Sequence, residues 1–247
     1  MISALVITRN EETNIQACLA SLAWADETIV LDCFSDDATV GISREMGAKV
    51  HQRTFTTYAN QRNAAIDLAS GDWVFFLDAD ERVPEALREE VLRAVSSSAA
   101  LTGYWIPRQN IILGRWMRHA GWYPDYQLRL FRRSAGRYDE SRDPHELLVL
   151  EGEQEYLSNT ILHYNYDTLG QLFAKQRSYA TRQAQTMRSQ GVKAKPQNFV
   201  LQPFREFRRR YIQQEGYKDG LYGLFLSLVM AWYELRVYMT LARMSNR

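Results

Sequence analysis

Two aspartates separated by one residue, Asp78 and Asp80, directly follow an apolar run, WVFFL at residues 73–77. The aromatic and β-branched side chains of this run predict a buried strand. Ligands of parallel α/β sheets bind at the carboxyl ends of the strands, which is where these carboxylates would lie. Carboxylate oxygens suit Mg²⁺ or Mn²⁺, which complete their coordination with waters and phosphates. The spacing alone also suits two carboxylates that cap a helix beginning near Pro84.

The first hundred residues alternate between strand-like and helix-like segments. Short β-branched runs at residues 4–7 and 28–31 predict strands, and residues 49–51 predict a weaker one. Apolar side chains at helical spacing predict helices over residues 60–69 and 84–95. This alternation predicts an α/β fold, a Rossmann-like and mostly parallel sheet flanked by helices.

Polar side chains follow the predicted strands at the points where they end. Because the carboxyl ends of parallel strands meet at one edge of a sheet, we expect these side chains to lie close together. In chain order they are Thr8, Asn10, Glu11, Asp32, Asp78 and Asp80.

The formal net charge of +1 is unevenly distributed along the chain. Residues 1–100 carry 16 acidic and 8 basic residues, whereas residues 175–218 carry 11 Lys and Arg against Glu206 and Glu215. The asymmetry predicts an acidic catalytic half and a basic surface that faces an anionic partner. The 2 cysteines give no disulfide framework. The first residues lack a secretory signal pattern, which favours chemistry on the cytoplasmic side.

The composition of the sequence changes after residue 100. Residues 101–163 are rich in aromatic side chains among strands and loops, which suits sugar binding, although any single ring more often belongs to a core. The last third is helical, and Leu221–Tyr233 is 13 residues without a charge, short of the roughly 20 that span a bilayer. With basic residues before it, this segment predicts a helix on a membrane surface; a core or dimer helix is the alternative.

Four motifs, in this order, resemble the family 2 glycosyltransferases of the GT-A fold, which move a sugar from a nucleoside-diphosphate donor with inversion. These motifs are VITRNEE at 6–12, IVLD at 29–32 with SDDAT at 35–39, QRNAA at 61–65 and FLDADE at 76–81. Later segments resemble the subgroup that adds glucose or a related hexose to the inner core of bacterial lipopolysaccharide. They are GWYPD at 121–125, RLFRR at 129–133, HELL at 145–148 and LHY at 162–164.

The resemblance covers nearly the whole chain and implies three functional parts. Residues 1–100 would form the nucleotide-sugar half of a GT-A domain, and residues 101–165 its acceptor half. Residues 166–247 would form a helical extension that associates with a membrane. The implied cofactor is Mg²⁺ or Mn²⁺, and Asp80 is its first expected ligand. Asp78 would hold the ribose or the metal, and His163 resembles the histidine that completes the metal shell in many GT-A enzymes.

The other donor-binding residues follow from the same motifs. Glu11 and Asp32 suit hydrogen bonds to the base and the ribose, and Thr8 and Asn10 belong to the same nucleotide-binding segment. Arg62 could approach the diphosphate.

Inversion requires a carboxylate that takes the proton of the acceptor hydroxyl as it attacks the anomeric carbon. Glu146 is favoured because it precedes an apolar stretch suited to an acceptor pocket. In most of the wider family the base belongs to an acidic pair, whereas His145 precedes it here. Asp125 and Asp143 are the alternatives. Trp122, Asp125 and His145 are the candidate acceptor contacts.

These features predict transfer of glucose from UDP-glucose to a lipid-linked saccharide, the heptose of the lipopolysaccharide inner core, at the cytoplasmic face of a bacterial inner membrane. The alternatives are another surface glycan or glycolipid, or a non-catalytic GT-A-like binding protein. Nucleic-acid binding is disfavoured because no recognition motif accompanies the arginines. A nucleotidyltransferase or a dehydrogenase would require a glycine-rich phosphate loop that the N-terminal segment lacks.

Overall fold

The computed structural model of the chain describes residues 1–97, 101–141 and 147–245. The strands of the described chain are β1 (Ile2–Thr8), β2 (Glu27–Asp32), β3 (Lys49–Gln52), β4 (Trp73–Phe76), β5 (Glu81–Arg82), β6 (Leu101–Ile112), β7 (Arg115–Trp116), β8 (Asp125–Arg132), β9 (Gly136–Tyr138), β10 (Leu148–Leu150), β11 (Glu153–Tyr156) and β12 (Ile161–Tyr166). Its α-helices are α1 (Ile15–Ala20), α2 (Thr39–Glu45), α3 (Tyr58–Leu68), α4 (Glu85–Ser96), α5 (Leu169–Ser189), α6 (Asn198–Arg208) and α7 (Gly220–Ser245).

The chain divides into two compact units. Unit 1 comprises Met1–Arg108 and Tyr126–His163. Unit 2 comprises Gln109–Asp125 and the chain from Tyr164 onward. The predicted division into three functional parts stays a prediction.

A mixed sheet forms the centre of unit 1, with the strand order β3-β2-β1-β4-β8-β6-β12-β5. Strands β1 to β4 pair in parallel, whereas β8 is antiparallel to β4 and β12 is antiparallel to β5. Parallel neighbours need a long crossover, usually a helix, and the described chain between residues 101 and 163 forms no helix. The predicted α/β fold is confirmed: four strands of the N-terminal half pair in parallel, and β11 adds one further parallel pair with β6.

Strand β4 is buried on both faces, as its uninterrupted apolar sequence predicts. Trp73 and Phe75 belong to one core cluster, together with apolar side chains of α1 and α4. Val74 and Phe76 belong to a second cluster, together with Ala65 and Ile66 of α3. The two core clusters pack on opposite faces of β4, so this packing sets the position of the strand end that carries Asp78 and Asp80.

At the opposite, amino-terminal edge of this sheet, the buried carboxylate of Glu27 connects three strands. It accepts hydrogen bonds from the Ser3 hydroxyl (2.5 Å), the Ser70 backbone N–H (2.7 Å) and the Lys49 ammonium (2.7 Å). Burial alone raises the pKa of Glu27, but hydrogen bonds from Lys49, Ser3 and Ser70 lower it to about 2.

This lowered pKa predicts an acid-sensitive contribution to stability. A carboxyl whose pKa is lower in the folded state stabilises the fold above its unfolded pKa, and the contribution is lost as the pH falls toward the folded value. We expect the Glu27 contribution, on the order of 2 kcal/mol, to disappear between about pH 4.5 and about pH 2. Urea unfolding of the wild type and of Glu27→Gln across this range measures it. Parallel stability curves for the two proteins would contradict the prediction.

Unit 2 is built mainly from helices. Thr168 and Gln171 form a capping box at the start of α5. Ala180 and Ala184 of α5 pack against Val237 and Leu241 of α7. The N-terminal half of α7 packs in a separate cluster, whose buried members are Ile112, Met117, Tyr166, Leu172, Leu226 and Val229.

The apolar C-terminal helix is longer than the 13 uncharged residues of Leu221–Tyr233 indicate. Counted with the turn before it, it runs over Gly216–Met244, 29 residues, and 33% of its most apolar window is buried. Within the described chain this helix is long and apolar enough to cross a membrane, by length and composition alone. Its length therefore does not exclude a membrane span, contrary to the expectation from the uncharged segment.

Candidate active site

The first aspartate of the D-x-D motif is held by two arginines. The Arg129 guanidinium donates to both carboxylate oxygens of Asp78, with a distance of 3.2 Å from Nη1 to Oδ1, and Arg62 Nη2 lies 3.4 Å from the same Oδ1. Burial alone raises the pKa of Asp78, but the charges of Arg129 and Arg62 outweigh it and hold the pKa well below its usual range. Asp78 is therefore ionised, and its charge is balanced by the protein itself.

A third carboxylate, that of Glu81, binds the same Arg129 and the backbone of Asp78. Glu81 is fully buried, and its Oε2 accepts a hydrogen bond from the Asp78 backbone N–H (2.9 Å). Its Oε1 accepts from Arg129 (2.9 Å) and from Arg108 (3.4 Å). Burial alone lowers the pKa of Arg129, but Asp78 and Glu81 raise it well above its ordinary value. The motif is therefore held by a network of two carboxylates and three arginines, in which Glu81 and Arg129 are buried.

The second aspartate, Asp80, has a different partner. The distance from His163 Nε2 to Asp80 Oδ2 is 3.5 Å, and the two side chains are 10% and 22% exposed. The antiparallel pairing of β12 with β5 sets this distance, because it places His163 opposite Glu81. The structure thus brings together two of the three predicted metal-binding residues, and Asp80 remains partly exposed.

The donor set of Asp80 and His163 fits a divalent cation that takes its remaining ligands from phosphate oxygens and water. No group of three or more His, Cys, Asp or Glu side chains converges anywhere in the described ranges, so an all-protein cage is not formed there. Asp78 as a metal ligand stays a prediction, since its oxygens accept hydrogen bonds from arginines.

The loops that follow β1 and β2 are joined by hydrogen bonds. The Asn10 side-chain oxygen accepts from the Asp36 backbone N–H (2.9 Å), and the Asn10 backbone N–H donates to the Ser35 hydroxyl (2.8 Å). The Glu11 backbone N–H donates to the Thr39 hydroxyl (2.8 Å). Asn10 has a positive φ of 56°, a conformation that asparagine tolerates better than most residues. The two predicted nucleotide-binding segments therefore form one ordered surface.

Asp32 and Thr8 are opposite each other in the parallel pairing of β1 and β2. Asp32 is fully buried, and its carboxylate accepts from the Ser35 backbone N–H (2.9 Å) and from Gln52 (3.0 Å). Its contact with the base or ribose stays a prediction, whereas its role in ordering the loop is observed. The buried Thr8 hydroxyl has no hydrogen-bond partner among the described residues, so it retains a polar group for a ligand at this edge.

Arg62 extends from α3 toward the motif and is held in place by aromatic rings. Its guanidinium carbon lies 5.1 Å from the ring centroid of Phe76 and 5.5 Å from that of Tyr138. The side chain is 12% exposed. A planar cation fixed beside Asp78 is suited to a phosphate group, and its contact with the diphosphate stays a prediction.

Two acceptor candidates lie together in unit 2. The Asn110 side-chain amide donates to the Trp122 carbonyl (2.7 Å) and to Asp125 Oδ2 (3.3 Å). The Arg210 guanidinium carbon lies 5.3 Å from the Trp122 ring centroid. The buried Trp122 Nε1 has no hydrogen-bond partner among the described residues. Within unit 2 the loop around Trp122 is thus anchored, and its acceptor role stays a prediction.

The predicted base Glu146, its alternative Asp143 and the acceptor candidate His145 lie outside the described residues. Their roles stay predictions. The described chain resumes at Leu147, whose carbonyl accepts a hydrogen bond from the Asp139 backbone N–H (2.9 Å).

Arg129, Arg108 and Glu81 are the supporting residues to which the sequence pattern assigned no role. Their signals are an arginine inside an apolar strand, QLRLF at residues 127–131, and an acid immediately after the D-x-D motif. A charged residue in such a strand indicates a buried ion pair, although it does not identify the partner.

Parallel strands that place a D-x-D motif and two joined polar loops at one sheet edge define the class of GT-A glycosyltransferases. More particularly, the chain belongs to glycosyl transferase family 2, whose family model matches residues 3–146. The protein is a glycosyltransferase.

Relatives of known sequence or structure agree with this assignment. The lipopolysaccharide core biosynthesis glycosyltransferase LpsC of Rhizobium meliloti (strain 1021) is 27% identical over 252 residues, which cover 100% of this chain and 92% of LpsC. An uncharacterized glycosyltransferase of Rickettsia bellii (strain RML369-C) is 26% identical and covers 94% of this chain and 82% of that protein. The crystal structure of S. aureus TarS 1-349 has the same fold, with a TM-score of 0.50, 14% identity and coverage of 99% and 91%.

Proposed function

We propose that the protein is a metal-dependent, inverting hexosyltransferase that moves glucose from UDP-glucose to a lipid-linked saccharide, the heptose of the lipopolysaccharide inner core. The observation that carries the metal-dependent chemistry is the 3.5 Å approach of His163 to Asp80 beside a charge-balanced Asp78. The full-length similarity to LpsC, a lipopolysaccharide core biosynthesis glycosyltransferase, supports the acceptor class.

Each residue has a separate task in this reaction. Asp80 and His163 would hold Mg²⁺ or Mn²⁺, which supplies neutralisation of the charge that builds on the departing diphosphate. Arg62 lies where a guanidinium can bind a phosphate oxygen. The acceptor hydroxyl oxygen forms a bond to the anomeric carbon while the bond from that carbon to the β-phosphate oxygen breaks, and Glu146 takes the hydroxyl proton. Asp78 would orient the ribose.

The site of action would be the cytoplasmic face of a bacterial inner membrane, with the enzyme bound peripherally. The apolar Gly216–Met244 helix and the 11 Lys and Arg of residues 175–218 support this placement. A lipid-linked acceptor is presented at such a surface, so the catalytic unit must be held close to it.

Calorimetry with Mn²⁺ present tests the donor, by comparing UDP-glucose, ADP-glucose and GDP-glucose. We expect UDP-glucose to bind and the purine nucleotides to bind at least about tenfold more weakly. A transfer assay with heptose-terminated lipopolysaccharide core then tests the acceptor. Glu146→Gln is the matched control, because it should bind the donor as the wild type does and lose transfer.

Two results would contradict this function. Donor binding by the wild type without transfer to any lipopolysaccharide core would indicate a binding protein or an enzyme for another glycan. Turnover of Glu146→Gln at the wild-type rate would remove Glu146 as the base, and Asp125 and Asp143 would be tested in its place.

A further inference from the structure

Helix α6 exposes large apolar side chains on one face. No residue of α6 is buried, and Val200 and Phe204 are 70% and 62% exposed. Positions four residues apart lie on the same side of a helix, so these two side chains form one stripe, which Leu201, 44% exposed, widens. Soluble surfaces rarely carry such a contiguous set, which indicates an interaction surface.

The surroundings of this stripe are cationic. From residue 168 to residue 205 the chain contains 7 Lys and Arg and no acidic residue. Arg205 and Arg208 are exposed, and neither forms an ion pair within the part of the chain that the structure describes. By contrast, Arg209 and Arg210 donate to Glu206 at 2.6 Å each. Two available guanidinium groups therefore adjoin the apolar stripe.

Helix α7, in contrast to α6, buries much of its apolar surface against other parts of unit 2. Leu226, Val237 and Leu241 are fully buried in clusters with α5 and neighbouring segments. Two leucines of α7, Leu221 and Leu228, remain 81% and 53% exposed. Hydropathy favours α7 as the membrane element, whereas the combination of exposed apolar side chains and adjoining free cations is found on α6.

We propose that α6 is the element that inserts into an anionic lipid bilayer. Val200, Leu201 and Phe204 enter the boundary between headgroups and acyl chains, and Arg205 and Arg208 contact lipid phosphates. The inference rests on the proposed function, because the lipid-linked acceptor supplies the surface. A second copy of the chain is a poorer occupant, since a two-fold contact through α6 would place its own uncompensated arginines against each other.

Flotation of the full-length protein with vesicles tests the inference. The wild type should bind vesicles of equal parts phosphatidylcholine and phosphatidylglycerol, and bind phosphatidylcholine alone much more weakly. The double variant Val200→Ser/Phe204→Ser should bind the mixed vesicles at least about tenfold more weakly. The matched control is Leu221→Ser/Leu228→Ser, which removes two exposed apolar side chains from α7 and should retain most of the binding.

A second pair of variants tests the charges. Arg205→Gln/Arg208→Gln should lower binding to the mixed vesicles by roughly 25-fold, since each cation near an anionic surface contributes on the order of a fivefold change. Its control, Arg177→Gln/Arg182→Gln, removes two exposed arginines of α5 and should have a much smaller effect. Equal losses for both pairs would overturn the assignment to α6.

Several outcomes would contradict the inference. Loss of binding in the α7 variant with normal binding of the α6 variants would move the contact to α7. A concentration-dependent dimer that Phe204→Ser dissociates, without vesicle binding, would identify a second copy as the occupant. UDP binding measured on the same variants separates the two proposals: it should be unchanged in all of them. Failure of the wild type to bind UDP would contradict the proposed function alone.

Discussion

Asp80→Asn should lower kcat about a thousandfold or more with the fold unchanged. Asparagine has the shape of aspartate but lacks its charge, and the Asp80 carboxylate lies next to His163. The side chain is 22% exposed, so the neutral amide can be hydrated and should change the free energy of unfolding by less than about 1 kcal/mol. A loss of kcat in this variant would therefore reflect the transfer reaction and not a loss of stability.

The measurement has two parts, transfer kinetics and Mn²⁺ binding in the presence of UDP. Asp80→Asn should weaken the Mn²⁺ affinity, whereas an active-site residue that acts only on the acceptor would leave it unchanged. Asp72→Asn is the matched control, because Asp72 is a 78% exposed carboxylate next to the N-terminal amine. Wild-type turnover of Asp80→Asn at saturating Mn²⁺ would place the metal elsewhere.

The sequence was sufficient to predict where this chemistry lies. A strand that is apolar on both faces must be central, and the residues that follow it must emerge at the sheet edge. Asp78 and Asp80 were therefore predictable as neighbours of the loops that contain Asn10 and Glu11. This information is local, since it consists of the spacing of apolar residues in each strand or helix and of the residues at which each one ends.

The partners of the two aspartates depended on long-range pairing. His163 approaches Asp80 because β12 pairs with β5, and Arg129 reaches Asp78 because β8 is antiparallel to β4. Strand order and register between segments 50 to 80 residues apart are not encoded in local periodicity. The family resemblance suggested His163, whereas the position of Arg129 in an apolar strand indicated a buried ion pair without identifying Asp78 as its partner.

The C-terminal helices illustrate a second limit. The uncharged run at Leu221–Tyr233 predicted the surface helix, yet residues such as Leu226 in it are buried. Val200 and Phe204, which Leu201, Gln202 and Pro203 separate, gave a weaker signal and are largely exposed. Amphipathic periodicity shows that a helix has an apolar face, but only tertiary packing decides whether that face is covered.

Arg129→Met should destabilise the protein by about 3–5 kcal/mol, because it leaves the buried Glu81 and the Asp78 carboxylate without their shared cation. Methionine keeps much of the apolar stem, so the loss comes mainly from charge. Urea unfolding at neutral pH measures it. Arg133→Met is the matched control: this exposed arginine of the following turn donates to the Gly71 carbonyl, and its loss should cost less than about 1 kcal/mol.

The pH dependence of this deficit identifies its cause. In the wild type the Asp78 pKa is lowered, so the ion pair stabilises the fold above the unfolded pKa of about 3.9 and loses its effect below it. In Arg129→Met the Asp78 pKa should rise toward its unfolded value, because the largest of the charges that lower it is removed and only Arg62 remains beside it. The difference in unfolding free energy between the two proteins should therefore shrink as the pH falls below about 4.

A compensating substitution distinguishes charge from packing. Glu81→Gln removes one of the two carboxylates and keeps an oxygen that can accept from the Asp78 backbone N–H. Added to Arg129→Met, it should restore about 1–3 kcal/mol, because replacing both partners of a buried pair costs less than removing one. A double variant that is as unstable as the sum of the single variants would show that Arg129 acts by filling space. Recovery of stability without recovery of turnover would then assign Arg129 a further task, the orientation of Asp78 toward the donor.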